Sequence, residues 1–283
     1  MRIGLLQFAP QPGAVRANLD HIARALSKVH ADLMVLPELC TTGYLFASRP
    51  ELARLSEAIP AGLSACGHAQ AGPTCETMAA LSRDSNTAIV WGMPELASPR
   101  IFNSAVLVTP QGRFHTYRKA HLFVDERDIF DPGDSPFPVF DVSLPSPSGR
   151  GKGEGAKLGL LVCFDHFFPE AARSLALHGA QVICHPSNLV LEYALVNTIT
   201  RATENRVFWI LANRTGSETL GEKTLTFNGR SQIVAPDGRL LGRAGQNSEE
   251  TLIAEIDPTE ALDKRVTPRN DLFADRRTDL YST

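Results

Sequence analysis

The sequence predicts an α/β protein built from layers of helices and strands. Short apolar runs with strand character alternate with segments whose apolar residues recur at helical spacing. Glycine, proline and asparagine residues separate the two kinds of segment, as turns require. Nothing in the composition divides the 283 residues, so we expect one domain spanning residues 1–283.

The first half of the chain begins with a predicted strand at 2–8. An amphipathic helix follows it, with apolar residues at helical spacing: Val15, Leu19, Ile22, Leu26 and Val29. Further strands are predicted at 32–36, 87–93, 101–108 and 113–117, the last two forming a hairpin around the turn TPQG. The segment 49–84 is predicted to be helical and is interrupted at 61–72, where the small residues of AGLSACGHAQAG suggest a surface insertion.

The second half repeats the alternation. An apolar strand from Lys157 ends at Cys163, and further strands are predicted at 181–184, 207–213, 231–235 and 251–256. Helices are predicted over 169–178 and 193–205. The segment 143–156, SLPSPSGRGKGEGA, is predicted to be a mobile loop because it has almost no apolar surface to bury. Its glycines precede a strand, whereas a dinucleotide-binding glycine motif follows one, so we reject a nucleotide site there.

Composition excludes several classes of protein. Contents of 43% hydrophobic and 21% charged residues are ordinary for a soluble protein. A net charge of −3 does not indicate a nucleic-acid-binding protein. No apolar run is long enough for a membrane span or signal peptide, so we expect a cytoplasmic protein with no membrane or nucleic-acid partner. Neither disulfides nor a zinc site is expected, because the five cysteines, Cys40, Cys66, Cys75, Cys163 and Cys184, are odd in number, widely spaced and without a CxxC pair. No other metal and no cofactor is expected either.

Three reactive side chains each follow a strand-like run. Glu38 follows the strand at 32–36, Lys119 follows the strand at 113–117, and Cys163 ends the run that begins at Lys157. A lone cysteine is more often a small buried hydrophobe than a nucleophile. Here an acid and a lysine also follow strand-like runs, and their presence makes Cys163 our candidate nucleophile.

Segments around these residues resemble a known family. LPELCTTGY, YRKAHLF and CFDHFFPE look like the three signature segments of the nitrilase superfamily of carbon–nitrogen hydrolases, and HPSN, RATENRVFWILANRTG and GRSQIVAPDG extend the likeness. The likeness is strongest to short thermophile-type nitrilases and to the aliphatic amidase and N-carbamoyl amidohydrolase branches. It implies an αββα sandwich that dimerises to αββααββα or forms a higher homo-oligomer. It also implies that a C-terminal tail, at about 268–283, lies in the dimer interface.

The resemblance also implies the catalytic residues. The Glu-Lys-Cys set falls on Glu38, Lys119 and Cys163, and a second glutamate falls on Glu126. Cys163 would attack the amide or nitrile carbon, with Glu38 as base and then acid. Lys119 and the backbone N–H of Phe164 would stabilise the negative oxygen, while Glu126 would orient the substrate nitrogen or the attacking water.

The expected substrate is a small, mainly uncharged amide. Relatives that act on acidic substrates often carry an arginine shortly after the Cys-x-Asp of this motif, where this chain has His166-Phe167-Phe168. Nitrile hydrolysis is the alternative, followed by N-carbamoyl amide hydrolysis or a non-catalytic scaffold. Residues expected at the pocket mouth, each of which could instead pack in the core, are Tyr44, Phe164, His166, Phe167, Asn188 and Tyr193. Structural roles are predicted for His121, Asp165, Glu170 and His185.

Overall fold

Two β-sheets lie face to face at the centre of the protein, and a pair of helices covers the outer face of each. The computed structural model of the chain describes residues 1–60, 62–63, 71–143 and 155–281. The four layers follow the order αββα, so the predicted α/β sandwich is confirmed. Its pairing into a dimer stays a prediction.

Helices and strands alternate strictly along only part of the chain. The helices are α1 (Val15–Leu26), α2 (Arg49–Leu55), α3 (Pro73–Ser85), α4 (Glu126–Ile129), α5 (Pro169–Leu177) and α6 (Ala194–Asn205), with 3-10 turns at Cys163–Phe167, Pro258–Leu262 and Thr278–Leu280. The strands are β1 (Arg2–Gln7), β2 (Leu33–Val35), β3 (Gly62–Leu63), β4 (Ala88–Ala97), β5 (Arg100–Val108), β6 (Arg113–Arg118), β7 (Val139–Ser143), β8 (Gly155–Leu160), β9 (Val182–Pro186), β10 (Phe208–Ala212), β11 (Ser217–Leu220), β12 (Lys223–Thr226), β13 (Gln232–Val234), β14 (Leu240–Arg243), β15 (Glu250–Glu255), β16 (Arg265–Thr267) and β17 (Asn270–Asp271).

The first sheet has seven strands in the order β15-β1-β2-β4-β5-β6-β3. Strands β1, β2 and β4 are parallel, and the other neighbours are antiparallel. Side chains alternate between its two faces, as a pleated strand requires. Leu33 and Val35 pack into the core between the sheets, whereas Met34 and Leu36 pack beneath α1 and α3.

The second sheet has six strands in the order β14-β13-β10-β9-β8-β7. Its central strands β8, β9 and β10 are parallel, so their carboxyl ends lie at one edge. Cys163 follows β8, Asn188 follows β9 and Arg214 follows β10. Helices α5 and α6 cover the outer face of this sheet.

Some predicted boundaries were wrong. The strand before Cys163 ends at Leu160, and Cys163 instead opens a 3-10 turn with a left-handed φ of 42°. The segment predicted as a loop at 143–156 begins and ends in paired strands, since β7 and β8 form a hairpin, and residues 144–154 lie outside the described part of the chain. The predicted insertion at 61–72 includes the edge strand β3, with residues 61 and 64–70 outside that part.

The C-terminal segment packs on helices of its own chain. The Lys264 ammonium donates to the backbone carbonyls of Asn205 and Arg206, at 3.0 and 2.9 Å, and so caps the end of α6. The Arg173 guanidinium of α5 lies 5.0 Å from the centre of the Phe273 ring. A place for residues 268–283 in a dimer interface stays a prediction. None of the helices in the described part of the chain has the length and apolar character of a membrane span.

Gly92 is the close-packed point where β4 meets the loop after β2. A Cβ atom on this residue would lie 2.4 Å from the Glu38 Cα and 2.7 Å from the Leu39 nitrogen, both of which are backbone atoms. We therefore expect Gly92→Ala to lower the free energy of unfolding by about 1–3 kcal/mol, measured by denaturant titration. Gly242→Ala is the matched control, since its new Cβ would meet only Leu252 Cδ1 at 3.5 Å. Equal stability of both variants would contradict the proposed steric requirement.

Candidate active site

Glu38 is held in a tight turn after β2. The Gly92 N–H donates to the Pro37 carbonyl at 3.1 Å, and the Cys40 N–H donates to the Gly92 carbonyl at 3.2 Å. Between these two contacts the chain turns at Leu39, whose φ is 48°. The turn buries the Glu38 side chain completely, at 0% exposure.

Lys119 joins two carboxylates in the interior. Its Nζ donates to Glu38 Oε1 and to Glu126 Oε1, each at 2.8 Å, and the lysine is 1% exposed. Asn103 Nδ2 donates a further hydrogen bond to Glu38 Oε1, at 2.7 Å. The ammonium is therefore fixed by two oppositely charged groups with almost no contact with solvent.

Both carboxylate oxygens of Glu126 accept hydrogen bonds. Its Oε1 also accepts from the Tyr44 hydroxyl at 2.8 Å, and its Oε2 accepts from the Phe123 N–H at 2.9 Å. At 4% exposure, Glu126 is not a surface carboxylate. Glu38 differs, because its Oε2 is buried and has no hydrogen-bond partner among the described residues.

Burial and neighbouring charge shift the pKa of each group. Burial raises the pKa of Glu38, although the Lys119 ammonium opposes this shift. Burial alone would lower the pKa of Lys119, but the Glu126 and Glu38 carboxylates outweigh it and raise that pKa well above its usual range. Burial and the Glu126 charge also raise the pKa of Tyr44. Lys119 is thus an ammonium and Tyr44 a neutral hydroxyl at neutral pH.

The turn that carries Cys163 is fixed by Asp165. The Asp165 carboxylate accepts from the Val162 N–H at 3.0 Å, from the Tyr117 hydroxyl at 2.9 Å and from the His121 N–H at 3.1 Å. Asp165 and His121 therefore have structural contacts of the kind predicted. Glu170, exposed in the first turn of α5, contacts none of the candidate catalytic groups in the hydrogen bonds of the described residues.

The carbonyl oxygen of Cys163 accepts two hydrogen bonds from histidines. His166 Nδ1 lies 2.7 Å from it, and His185 Nε2 lies 2.8 Å from it. The Trp209 indole N–H donates to His185 Nδ1 at 3.2 Å, which leaves the His185 proton on Nε2. His185 thus holds the Cys163 turn, and it also contacts the loop after its own strand, because Ser187 Oγ lies 3.1 Å from His185 Nε2.

The Cys163 sulfur is electrostatically coupled to the three charged groups. Burial raises the pKa of the Cys163 thiol well above its usual range, and the Glu38 carboxylate raises it further. The Lys119 ammonium and the backbone N–H of Asn188 lower it. The net result is a thiol, not a thiolate, in the resting protein at neutral pH.

Two cavities adjoin these residues. The smaller, of about 20 Å³, reaches Cys163, and the larger, of about 470 Å³, reaches Glu126. Phe123 and Val190 line both. Of the residues predicted at the pocket, Tyr44 lines the larger cavity, and the smaller is lined by Phe164, His166, Phe167, Asn188 and Tyr193. Within the described ranges, no cluster of three His, Cys, Asp or Glu side chains is arranged to hold a metal ion.

Sequence reasoning missed a second buried ion pair beside the site. Arg214 and Glu218 are ion-paired and fully enclosed. Glu218 Oε2 accepts from the N–H groups of Tyr44 and Leu45, each at 2.8 Å, so the pair fixes the loop that carries Tyr44. The only available signal was the arginine and acid four residues apart in NRTGSE. Asn103, also missed, gave no signal within its strand.

Removing the Glu218 charge would leave Arg214 buried without its partner. We expect Glu218→Gln to lower the free energy of unfolding by about 3–5 kcal/mol, measured by denaturant titration. Asp237→Asn is the control, because it breaks the exposed Asp237–Arg239 pair, and we expect only a small change there. A Glu218 variant as stable as the control would show that the buried pair does not support the loop.

Removing the Glu38 charge should make the Cys163 thiol more acidic. The carboxylate raises the pKa of Cys163, so Glu38→Gln is expected to lower that pKa, measured from the ultraviolet absorbance of the thiolate with Cys163→Ala as the blank. Asp128→Asn, an exposed carboxylate on the rim of the larger cavity, is the control. An unchanged or raised pKa in Glu38→Gln would mean that the two groups are not coupled as the geometry indicates.

Comparison with known proteins identifies the family of the chain. The family model described as "Carbon-nitrogen hydrolase" matches residues 2–264. A nitrilase from Pyrococcus abyssi is 38% identical over 99% of both chains, and an (R)-stereoselective amidase from Pseudomonas sp. is 34% identical over 98% of this chain and 92% of its own.

Solved structures of amidases are also similar to this chain. The crystal structure of an amidase from Nesterenkonia sp. has a TM-score of 0.75 at 28% identity and covers 99% of this chain and 94% of that chain. In the Nesterenkonia sp. AN1 enzyme, acrylamide adds to the active-site cysteine of a mutant. A match to the family model over almost the whole chain, together with relatives of this similarity, shows that the chain is a carbon–nitrogen hydrolase of the nitrilase superfamily.

Proposed function

We propose that this enzyme is an amidase that hydrolyses a small, mainly uncharged amide to an acid and ammonia through a thioester on Cys163. One observation carries the proposal: a buried ammonium, Lys119, is fixed by Glu38 and Glu126 next to a buried thiol. This arrangement supplies a nucleophile, a base and an oxyanion partner in one place.

The first step needs a proton transfer, because the resting sulfur is a thiol. Glu38 Oε2 is the one carboxylate oxygen of the pair with no hydrogen-bond partner among the described residues. We assign it as the base that takes the thiol proton while the sulfur bonds to the amide carbon. Glu38 then gives this proton to the nitrogen as the carbon–nitrogen bond breaks, and ammonia leaves.

Negative charge develops on the former carbonyl oxygen during this attack. We assign its stabilisation to the Lys119 ammonium and to the backbone N–H of Phe164. Both donors are fixed before the substrate arrives, so they need little reorganisation. Loss of one such donor raises the barrier by about 3 kcal/mol in comparable enzymes.

Hydrolysis of the thioester returns the enzyme to its starting state. Water attacks the thioester carbon while Glu38 accepts a proton from it, and the carbon–sulfur bond breaks. The proton returns to the sulfur, and the acid leaves. No cofactor takes part in this scheme.

Glu126 is best described as a positioning residue within this scheme. Its oxygens accept hydrogen bonds from Lys119, Tyr44 and the Phe123 N–H. These contacts favour a role in fixing the Lys119 ammonium over the direct orientation of the substrate nitrogen or water that the sequence suggested.

Nitrile hydrolysis is the second candidate, favoured by the 38% identity to the Pyrococcus abyssi nitrilase. The same sulfur would attack a nitrile carbon, and a thioimidate would precede the thioester. Hydrolysis of an N-carbamoyl amine is a third possibility, since N-carbamoylputrescine amidases of Solanum lycopersicum and Solanum tuberosum are 30% identical. The lining of the smaller cavity, which has no charged side chain among the described residues, favours uncharged acyl groups in each case.

A panel of small amides, nitriles and N-carbamoyl amines tests the proposal by ammonia release. We expect release from uncharged amides by the wild-type enzyme and a loss of about 10³-fold or more in Cys163→Ala, because the nucleophile is gone. Cys75→Ala is the control for removal of a buried thiol away from the site. Cys163-dependent release from nitriles alone would make the enzyme a nitrilase, and no Cys163-dependent release from any compound would favour a non-catalytic scaffold.

A further inference from the structure

Three buried polar atoms beside Cys163 have no hydrogen-bond partner among the described residues. They are His166 Nε2 and the Nδ2 and Oδ1 atoms of Asn188. His166 is 3% exposed and Asn188 is 4% exposed, and both side chains line the small cavity that reaches Cys163. Buried polar groups are almost always paired, so unpaired ones on a cavity wall beside a nucleophile point to a ligand group that pairs them.

The hydrogen-bonding character of each atom is fixed by its surroundings. His166 Nδ1 lies 2.7 Å from the Cys163 carbonyl oxygen, which can only accept, so Nδ1 carries the proton. Burial lowers the pKa of His166, and the neutral ring therefore presents Nε2 as an acceptor. The Asn188 carboxamide adds one acceptor and one donor.

The rest of the cavity wall limits the group that these atoms can bind. Among the described residues the wall has no Asp, Glu, Lys or Arg side chain, its one histidine is neutral, and the rest is mainly aromatic and aliphatic. A carboxylate would face two acceptors without a cation, and an ammonium would lack a carboxylate. A hydroxyl fits, because it can donate to His166 Nε2 or Asn188 Oδ1 while it accepts from Asn188 Nδ2.

The size of the cavity indicates which carbon of the substrate carries the hydroxyl. Its volume of about 20 Å³ is close to that needed for one water-sized group. Cys163 lines the same cavity and would bond to the scissile carbonyl carbon. A group of one or two heavy atoms in this cavity therefore belongs on the carbon next to that carbonyl.

We infer, on the basis of the proposed amidase function, that the preferred substrates are 2-hydroxy amides whose hydroxyl is bound by Asn188 and His166. The reaction is that of the proposed mechanism: a 2-hydroxy amide and water give a 2-hydroxy acid and ammonia. The hydroxyl forms no covalent bond and changes no oxidation state. Asn188 and His166 act as specificity-determining residues.

Glycolamide and propionamide form the test pair, because they differ only in a hydroxyl in place of a methyl group. We expect the wild-type enzyme to have a kcat/KM for glycolamide at least about tenfold higher than for propionamide, since the hydroxyl pairs two of the three polar atoms and a methyl group pairs none. The ratio of the two values is the readout. A merely structural role of Asn188 or His166 would change both values together and leave the ratio unaltered.

Two variants connect the ratio to the residues. Asn188→Leu keeps the size of the side chain and the backbone N–H that faces the sulfur, but removes both polar atoms. His166→Asn can keep the donor to the Cys163 carbonyl and removes Nε2. In each variant we expect the glycolamide-to-propionamide ratio to fall several-fold towards one. Phe167→Leu, which changes the wall without changing its hydrogen-bonding groups, is the matched control and should retain the ratio.

The outcomes separate this inference from the proposed function. A wild-type ratio near or below one, or a ratio unchanged in both Asn188→Leu and His166→Asn, overturns the inference. Cys163-dependent ammonia release from other amides, but from neither member of the pair, also overturns it and leaves the amidase function standing. No Cys163-dependent release from any amide contradicts the proposed function itself.

Discussion

A single buried ammonium connects the parts of this site. Lys119 places a positive charge between Glu38 and Glu126, whose buried carboxylates would otherwise repel each other. Leaving a buried charge without its partner costs about 3–5 kcal/mol, so each of the three groups depends on the other two. The loops after β2 and β6 and the start of α4 are therefore fixed relative to one another by electrostatics as well as by packing.

The backbone is strained next to the proposed base, Glu38, and at the proposed nucleophile, Cys163. Leu39, next to Glu38, has a φ of 48°, and Cys163 has a φ of 42°, and neither is a glycine. Such conformations cost about 1–3 kcal/mol each and persist only where surrounding contacts hold them. The Leu39 carbonyl accepts from two backbone N–H groups, and Asp165 holds the Cys163 turn through three donors. The proposed base and the proposed nucleophile thus lie on or next to turns that neighbouring hydrogen bonds keep in place.

The sequence predicted those parts of the fold and site that are encoded locally. Apolar periodicity located most strands of the two sheets, and the short segments around Glu38, Lys119 and Cys163 indicated three candidate catalytic residues. Glu126 needed the family resemblance, because a charged stretch by itself indicates an exposed surface. The hairpin of β11 and β12 was missed because its exposed, polar strands bury little apolar surface to produce a pattern.

Contacts between distant residues could not be predicted in the same way. Asn103 and Glu38 are 65 residues apart, and Glu218 and Tyr44 are 174 residues apart. Each pair is close only because the sheets bring its loops together, and a single sequence carries no record of which polar residues meet. Similarly, Asn188 and His166 were predicted near the pocket from their segments, but their unpaired atoms become visible only when every neighbour is in place.

The histidines at the Cys163 carbonyl link this packing to the proposed chemistry. The C=O of Cys163 and the N–H of Phe164 belong to the same trans peptide and point in opposite directions. Two donors on the carbonyl, from His166 and His185, therefore fix the plane of the peptide and with it the direction of the N–H. They also polarise the peptide, because hydrogen bonds in a chain strengthen one another at low dielectric. If Phe164 supplies an oxyanion donor, these two buried, neutral histidines increase its strength without placing another charge beside Lys119.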